Sequence, residues 1–298
     1  MTKITKAIFF FIFLCYLCIE NQKRKLMKAN RILFVAQEIV PFTPSNETSE
    51  KCRHLPQDIQ EMGHQTRTFM PKWGDINERR NQLHEVIRLS GMNIIINDTD
   101  HPLIIKVASL QMARMQIYFI ENDDYFSHTR IGESGLQTSG YHDNDERSIF
   151  FSRGILETVK KLGWAPDVIH VHGWLGALIG LYVKVLYKDE PIFRNSKVVL
   201  SLYDDTFAEP LSETLTENIS TRNMDPFSTG DITPPYTYAN FMKLALRFCD
   251  GIIIDTDNPD ADILGYARSL GIPVLDKPEE NYAAACNDFY ELVSNDKE

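Results

Sequence analysis

Trp164-Ala165-Pro166-Asp167 leads into Val168-Ile169-His170-Val171-His172-Gly173-Trp174, a short apolar strand that brings two histidines to its carboxyl end. In open α/β sheets that end is where ligands bind. His170 and His172 are two residues apart, so a regular strand places both on one face. Gly173 then lets the backbone turn towards a helix predicted over 174–187.

Working outward, 31–36 reads as a strand, 55–62 as the end of a helix closed by Gly63, and 65–70 as the next strand, which makes an opening βαβ unit. Apolar or alternating runs at 84–89, 93–96, 103–110 and 116–120 carry little helical period and predict a β-rich insertion. Helical spacing returns at 148–162, before the 167–171 strand and a buried strand at 197–202. Residues 211–236 contain Pro226, Pro234 and Pro235 and predict a loop around one short helix. A helix at 238–248, a strand at 251–255, a helix at 259–270, a short strand at 272–275 and an amphipathic helix at 281–293 follow. The sum is an α/β fold: a single Rossmann-like, doubly wound parallel sheet with a β-rich insertion and right-handed crossovers.

At 298 residues and 43% apolar composition the chain can bury a large core. Its net charge of −10 argues against nucleic acid as a partner, because neutralising phosphates needs a basic surface. The five cysteines have no disulfide-framework spacing, which points to a reducing compartment. Lys3 and Lys6 precede an apolar run at 7–19, too short for a membrane span and without a small-residue cleavage site after it. Residues 1–26 are therefore either an apolar leader or sequence upstream of a later start at Met27, with 27–298 as the domain. The second alternative makes the protein cytoplasmic, and the first brings in a membrane or export leader.

With these residues located, the chain resembles the N-terminal half of bacterial glycogen and starch synthases, glycosyltransferase family 5 enzymes of the two-lobed GT-B architecture. The marks are Ile32-Leu33-Phe34-Val35-Ala36-Gln37-Glu38 with Pro41-Phe42, then Leu55-Pro56, Gly63-His64, and Tyr141-His142-Asp143-Asn144 with Arg147. Phe150-Phe151-Ser152-Arg153, the histidine strand itself and Asn240-Phe241-Met242-Lys243 complete the set in order, over 31–264. The resemblance implies α-1,4-glucan synthesis from ADP-glucose or UDP-glucose, without a further cofactor or a metal.

Departures from the family pattern fall at the polar positions. After the first strand the family carries a lysine and two glycines whose backbone and ammonium hold the donor diphosphate, and this chain has Pro44-Ser45-Asn46-Glu47. Proline removes a donor, the glycines are gone, and a carboxylate stands where an anion should bind. The acid that follows the second histidine is Gly173, Ser201-Leu202-Tyr203-Asp204 replaces a Thr-Ile-His-Asn turn, and Asp255-Thr256-Asp257-Asn258 replaces a neutral one. The sequence ends where the second GT-B lobe would begin, so the expectation is a glucan-binding or regulatory module impaired on its own. A partner lobe or a homodimer would complete it, and an active retaining glucosyltransferase is the alternative.

On the resemblance, His172 matches the histidine that contacts the donor sugar, although a histidine at a strand end is also held there by ordinary hydrogen bonding. Glu38 takes the place of a cleft glutamate. Tyr125, followed by Phe126, matches an aromatic pair bordering the cleft, and Tyr203 faces His172 from the next strand. Asp143, Asn144 and Arg147 read as a capped helix start with an arginine–carboxylate pair supporting the cleft, and Lys243 as a lysine near its floor. Metal-ligand spacings, a Ser/His/Asp arrangement and a dinucleotide glycine motif are absent from the sequence.

Overall fold

The computed structural model describes residues 30–110, 113–129, 131–132, 135–136, 142–207, 209–221, 224, 232–278 and 281–295. The compact unit is Arg31–Glu298. The expectation for residues 1–26 lies outside the described residues, as do Tyr141 and Pro226.

The strands are β1 (Arg31–Ala36), β2 (Gln65–Pro71), β3 (His84–Glu85), β4 (Met92–Ile96), β5 (Thr99–Leu110), β6 (Met115–Glu121), β7 (Ile131–Gly132), β8 (Gly135–Leu136), β9 (Val168–His172), β10 (Lys197–Leu202), β11 (Gly251–Ile254) and β12 (Val274–Leu275). The main sheet runs β12-β11-β10-β9-β1-β2-β6-β5-β3, with β4 paired to β5. Every neighbouring pair from β12 through β6 is parallel. The insertion, β3 to β5, extends that sheet antiparallel at one edge. The chain winds one way from β1 through β2 to β6 and the other way from β9 to β12, so the winding reverses between β1 and β9, paired in register from Ile32↔Val168 to Ala36↔His172.

Period-two alternation sorts the strand residues onto two covered faces. Ile32, Phe34, Val168, Val199 and Ile253 meet α1 (Glu47–Glu61) and the terminal helix, called α5 here (Tyr282–Asn295), through Leu55, Ile59, Cys286, Phe289, Tyr290 and Val293. Leu33, Val35, Ile169, Val171 and Leu200 face the other way, in the same core as Phe150, Phe151 and Ile155 of α2 (Asn144–Leu162) and Phe241 of α3 (Tyr238–Leu246). A further helix, α4 (Ala261–Ser269), joins β11 to β12. Burial on both faces explains why these strands are continuous apolar runs.

Several boundaries differ from the sequence expectation. Helix α1 begins at Glu47, well before residue 55, because Asn46 and Ser49 form a reciprocal capping box. No single helix spans 174–187: turns lead to a short helix Ile179–Leu181 and a π-helical stretch Tyr182–Leu186. Gly176 and Gly180 lie so close to Val35 Cγ1 and the Phe248 carbonyl that a Cβ would stand 2.8 Å and 3.0 Å away, and packing overrides helical spacing. Residues 84–89 yield strand only at His84–Glu85, because the chain turns where Leu89 N–H donates to the Val86 carbonyl.

Phe289 is buried in the cluster that fixes α5 to the sheet. Phe289→Ala is expected to cost about 3 to 5 kcal/mol in urea unfolding. A loss under about 1 kcal/mol would show that α5 is not part of the folded unit.

Candidate functional site

A crevice opens at the carboxyl ends of the strands, where the winding reverses between β1 and β9, which is where doubly wound sheets bind ligands. Its volume is about 420 Å³. Four strand ends feed it: Gln37 and Glu38 follow β1, Trp174 follows β9, 203–206 follow β10 and 255–258 follow β11, while 46–48 at the start of α1 close one side. Glu38, Glu47, Asp204, Asp205, Asp255 and Asp257 line it, and among the described residues none that lines it is basic.

The floor is built around Gly173. Its φ of +78° is a left-handed conformation, and a Cβ there would stand 2.8 Å from Gln37 Oε1 and 2.9 Å from Asp205 Oδ2. Asp205 accepts from the Trp174 N–H at 3.2 Å, Gln37 Nε2 at 3.4 Å and the Tyr238 hydroxyl at 2.6 Å. Burial raises its carboxyl pKa, and these donors oppose the rise. Asp205 and Gln37 were not singled out in the sequence. The signal for Asp205 was the acidic pair directly after a buried strand, but only tertiary packing brings it against Gly173.

The two histidines lie on the α5 face of the sheet. His170 is satisfied on both nitrogens, by the Tyr290 hydroxyl at 2.7 Å and Ser201 Oγ at 2.8 Å. His172 Nδ1 shares a 2.7 Å hydrogen bond with the Tyr203 hydroxyl, while its Nε2 has no partner among the described residues. The ring is 1% exposed and does not line the crevice; Tyr203 does. Burial pushes the His172 pKa down to about 4, against the pull of Asp255. Asp255 in turn accepts from Lys51 Nζ at 3.0 Å and the Tyr282 hydroxyl at 2.5 Å. The terminal helix thus supplies one phenol to the histidine strand and another to the acidic turn.

At the position of the family's phosphate loop the polar groups satisfy one another. Asn46 Oδ1 accepts from the Ser49 N–H at 2.8 Å, and Asn46 Nδ2 donates to Glu38 Oε2 at 2.6 Å. Glu47 pairs with Lys51 at 2.9 Å and Lys277 at 3.1 Å, and its pKa falls because both ammonium groups bond it. Lys277 also holds Asp257 at 2.7 Å. Both neighbouring cations are thereby engaged by carboxylates.

Glu38 and Tyr203 therefore reach the crevice, with His172 directly behind Tyr203. Tyr125 does not line it: it is 2% exposed, donates to Glu146 Oε2 at 2.8 Å, lies 3.0 Å from His101 Nε2 and packs on Phe150. Asp143 stands at the start of α2 without a side-chain cap bond and instead pairs with Arg147 Nε at 2.9 Å, correcting the expected cap. Arg147 also donates to Thr129 Oγ1, and Asn144 is buried beside them. Lys243 pairs with Asp262 at 2.5 Å, between α3 and α4, and does not line the crevice either. Among the described residues Cys52, Cys249 and Cys286 are free and buried, no cluster of three or more His, Cys, Asp or Glu could hold a metal, and no helix is long and apolar enough to cross a membrane.

A doubly wound lobe with its crevice at the reversal between β1 and β9 has the architecture of one lobe of a GT-B glycosyltransferase. A profile of the starch synthase catalytic domain matches residues 31–255, and the chain belongs to that family. It is 34% identical over 271 residues to a glycogen synthase of Chlorobaculum parvum, covering 89% of this chain and 52% of that protein. A glycogen synthase of Chlorobium luteolum is 37% identical over 179 residues, 58% of this chain and 36% of the relative. The chain thus spans about half the length, or less, of these curated relatives. The catalytic domain of starch synthase IV from Arabidopsis thaliana, solved bound to ADP and acarbose, shares the fold with a TM-score of 0.64 at 16% identity, over 83% of this chain and 52% of that one.

Two outcomes follow from this geometry. Gly173→Ala combines a strained φ with contacts under 3 Å and is expected to cost about 2 to 3 kcal/mol in urea unfolding; a neutral effect would contradict the packing of Asp205 and Gln37 against it. Because the folded pKa of His172 lies below its unfolded value, the unfolded chain takes up that proton first. The resulting stability, up to about 3 kcal/mol, is complete above about pH 6.5 and is lost as pH falls towards 4. Imidazole NMR should show no titration of His172 above about pH 5, and an ordinary midpoint near 6.5 would contradict its burial.

Proposed function

We propose that this glycogen/starch-synthase-type domain binds neutral α-glucan in its crevice and does not, by itself, hold the diphosphate of a sugar-nucleotide donor. The observation that carries the reading is the crevice lining, which among the described residues has six carboxylates and no basic side chain. At about 8 Å each unpaired carboxylate repels one negative charge by roughly 0.5 to 2 kcal/mol, depending on local screening. Lys51 and Lys277 offset part of this, but both already bond carboxylates. Catalysis of glucosyl transfer relies on stabilising a departing diphosphate, so an acidic crevice removes the largest rate term.

A glucan carries no charge, and its hydroxyl groups donate to carboxylates such as Glu38 and Asp204, which keeps the acidic lining compatible with sugar. Tyr203 adds an aromatic residue to the same lining. The alternative is an active retaining glucosyltransferase using ADP-glucose or UDP-glucose, favoured by the family and by a crevice at the usual ligand position of the fold.

Calorimetry with a maltooligosaccharide and with ADP-glucose separates the readings: saturable glucan binding is expected, with ADP-glucose at least about tenfold weaker. Replacing Asp204 and Asp257 together by asparagine should narrow that gap. Incorporation of glucose into glycogen by the purified protein, from radiolabelled ADP-glucose or UDP-glucose, would overturn the proposal in favour of the enzyme.

A further inference from the structure

The opposite edge of the sheet carries the reverse electrostatics. At the amino ends of β2 and β6, where β5 ends and where the chain enters β9, a pocket of about 510 Å³ is lined by Arg67, Arg114 and His64 and, among the described residues, by no carboxylate. In a chain with 41 acidic and 31 basic residues this local composition runs against the average. The pocket stands at the far ends of the strands from the crevice, so it does not depend on the function proposed for that site.

Arg67 is held in place without a carboxylate. Its guanidinium lies 5.5 Å from the Tyr118 ring centre and 5.2 Å from that of Trp164, and Nη1 donates to the Tyr118 hydroxyl at 2.5 Å. One hydrogen bond leaves most of its five donors unused. Arg114, exposed in the turn that enters β6, adopts a left-handed φ of +51°, a conformation uncommon for a residue with a side chain. Neither arginine forms an ion pair with the described residues. Two arginines lining one pocket match an anion with several terminal oxygens, which arginine binds through paired N–H groups.

We propose that this pocket binds a phosphate monoester of a polyhydroxy compound, with Arg67 and Arg114 on the phosphate and Gln60, Gln65 and Gln116 on the hydroxyls. The pocket is larger than a bare phosphate requires, and besides the arginines, His64 and the Trp164 indole its polar lining consists of three amides and the hydroxyls of Thr66, Ser109 and Tyr118, groups that both donate and accept. A nucleic acid would need a continuous basic track, which a chain of net charge −10 does not supply.

The test is calorimetric titration of the full chain with glycerol 3-phosphate, inorganic phosphate and, as the uncharged arm, glycerol. Glycerol 3-phosphate should bind saturably and more tightly than inorganic phosphate, and glycerol should not bind. Arg67→Gln and Arg114→Gln should each weaken glycerol 3-phosphate by about tenfold or more, while the exposed Arg80→Gln leaves it unchanged. Arg114→Gln keeps the result interpretable, because its side chain is exposed and supports no packing, should Arg67→Gln disturb the fold. Absence of saturable binding, tighter binding of inorganic phosphate, or unchanged affinity in Arg114→Gln overturns the proposal.

Discussion

The crevice at the carboxyl ends of the strands depends on the close approach at Gly173. Three chain segments meet there: Gln37 from the end of β1, the turn out of β9, and Asp205 beyond β10, tied by the Tyr238 hydroxyl to α3. Only a residue without a Cβ, with its backbone in the left-handed region, lets them converge. The family's acid at this position is absent, and the Asp205 carboxylate stands within 2.9 Å of where a side chain at 173 would begin. A half-buried carboxylate is thus present beside the turn, although it arrives from the next strand and is bonded to three protein donors.

That arrangement sets the charge of the crevice. The ends of β1, β10 and β11 and the start of α1 contribute acids, and the cations that α1 and the segment after β12 bring near them are bound to Glu47, Asp255 and Asp257. The loop that would cradle phosphates in the family instead caps α1 and bonds Glu38. Behind it, Tyr203 covers His172, and burial keeps that imidazole neutral across the physiological range. These features are the grounds for proposing a site that disfavours anions and accepts hydroxyl groups, in a chain of the starch synthase catalytic domain family.

The centre of the sheet was legible in the sequence because its strands are buried on both faces and stand out as largely apolar runs; β1, β9, β10 and β11 fall where those runs lie, while β2 is apolar only in its second half. The start of α1 was not, since residues 47–53 are polar and the helix is set by the Asn46 cap rather than by an apolar stripe. The turn and π-helical stretch after Trp174 were hidden for the opposite reason: helical spacing was present, and contact of Gly176 and Gly180 with neighbouring segments overrode it. Within the site, Glu38 and Tyr203 were placed by the family resemblance, which sets them just after β1 and β10. The pairing of Asp205 with Gly173 and the docking of Tyr282 and Tyr290 join residues far apart in sequence, and no local pattern announces them.

The central claim is that the crevice around Gly173 admits neutral glucan and rejects a diphosphate. The most direct measurement is amide NMR of the Gly173 and Trp174 signals during separate additions of maltoheptaose and ADP at equal concentration. Maltoheptaose is expected to shift both signals saturably while ADP leaves them in place. A saturable shift with ADP and none with maltoheptaose would contradict the account.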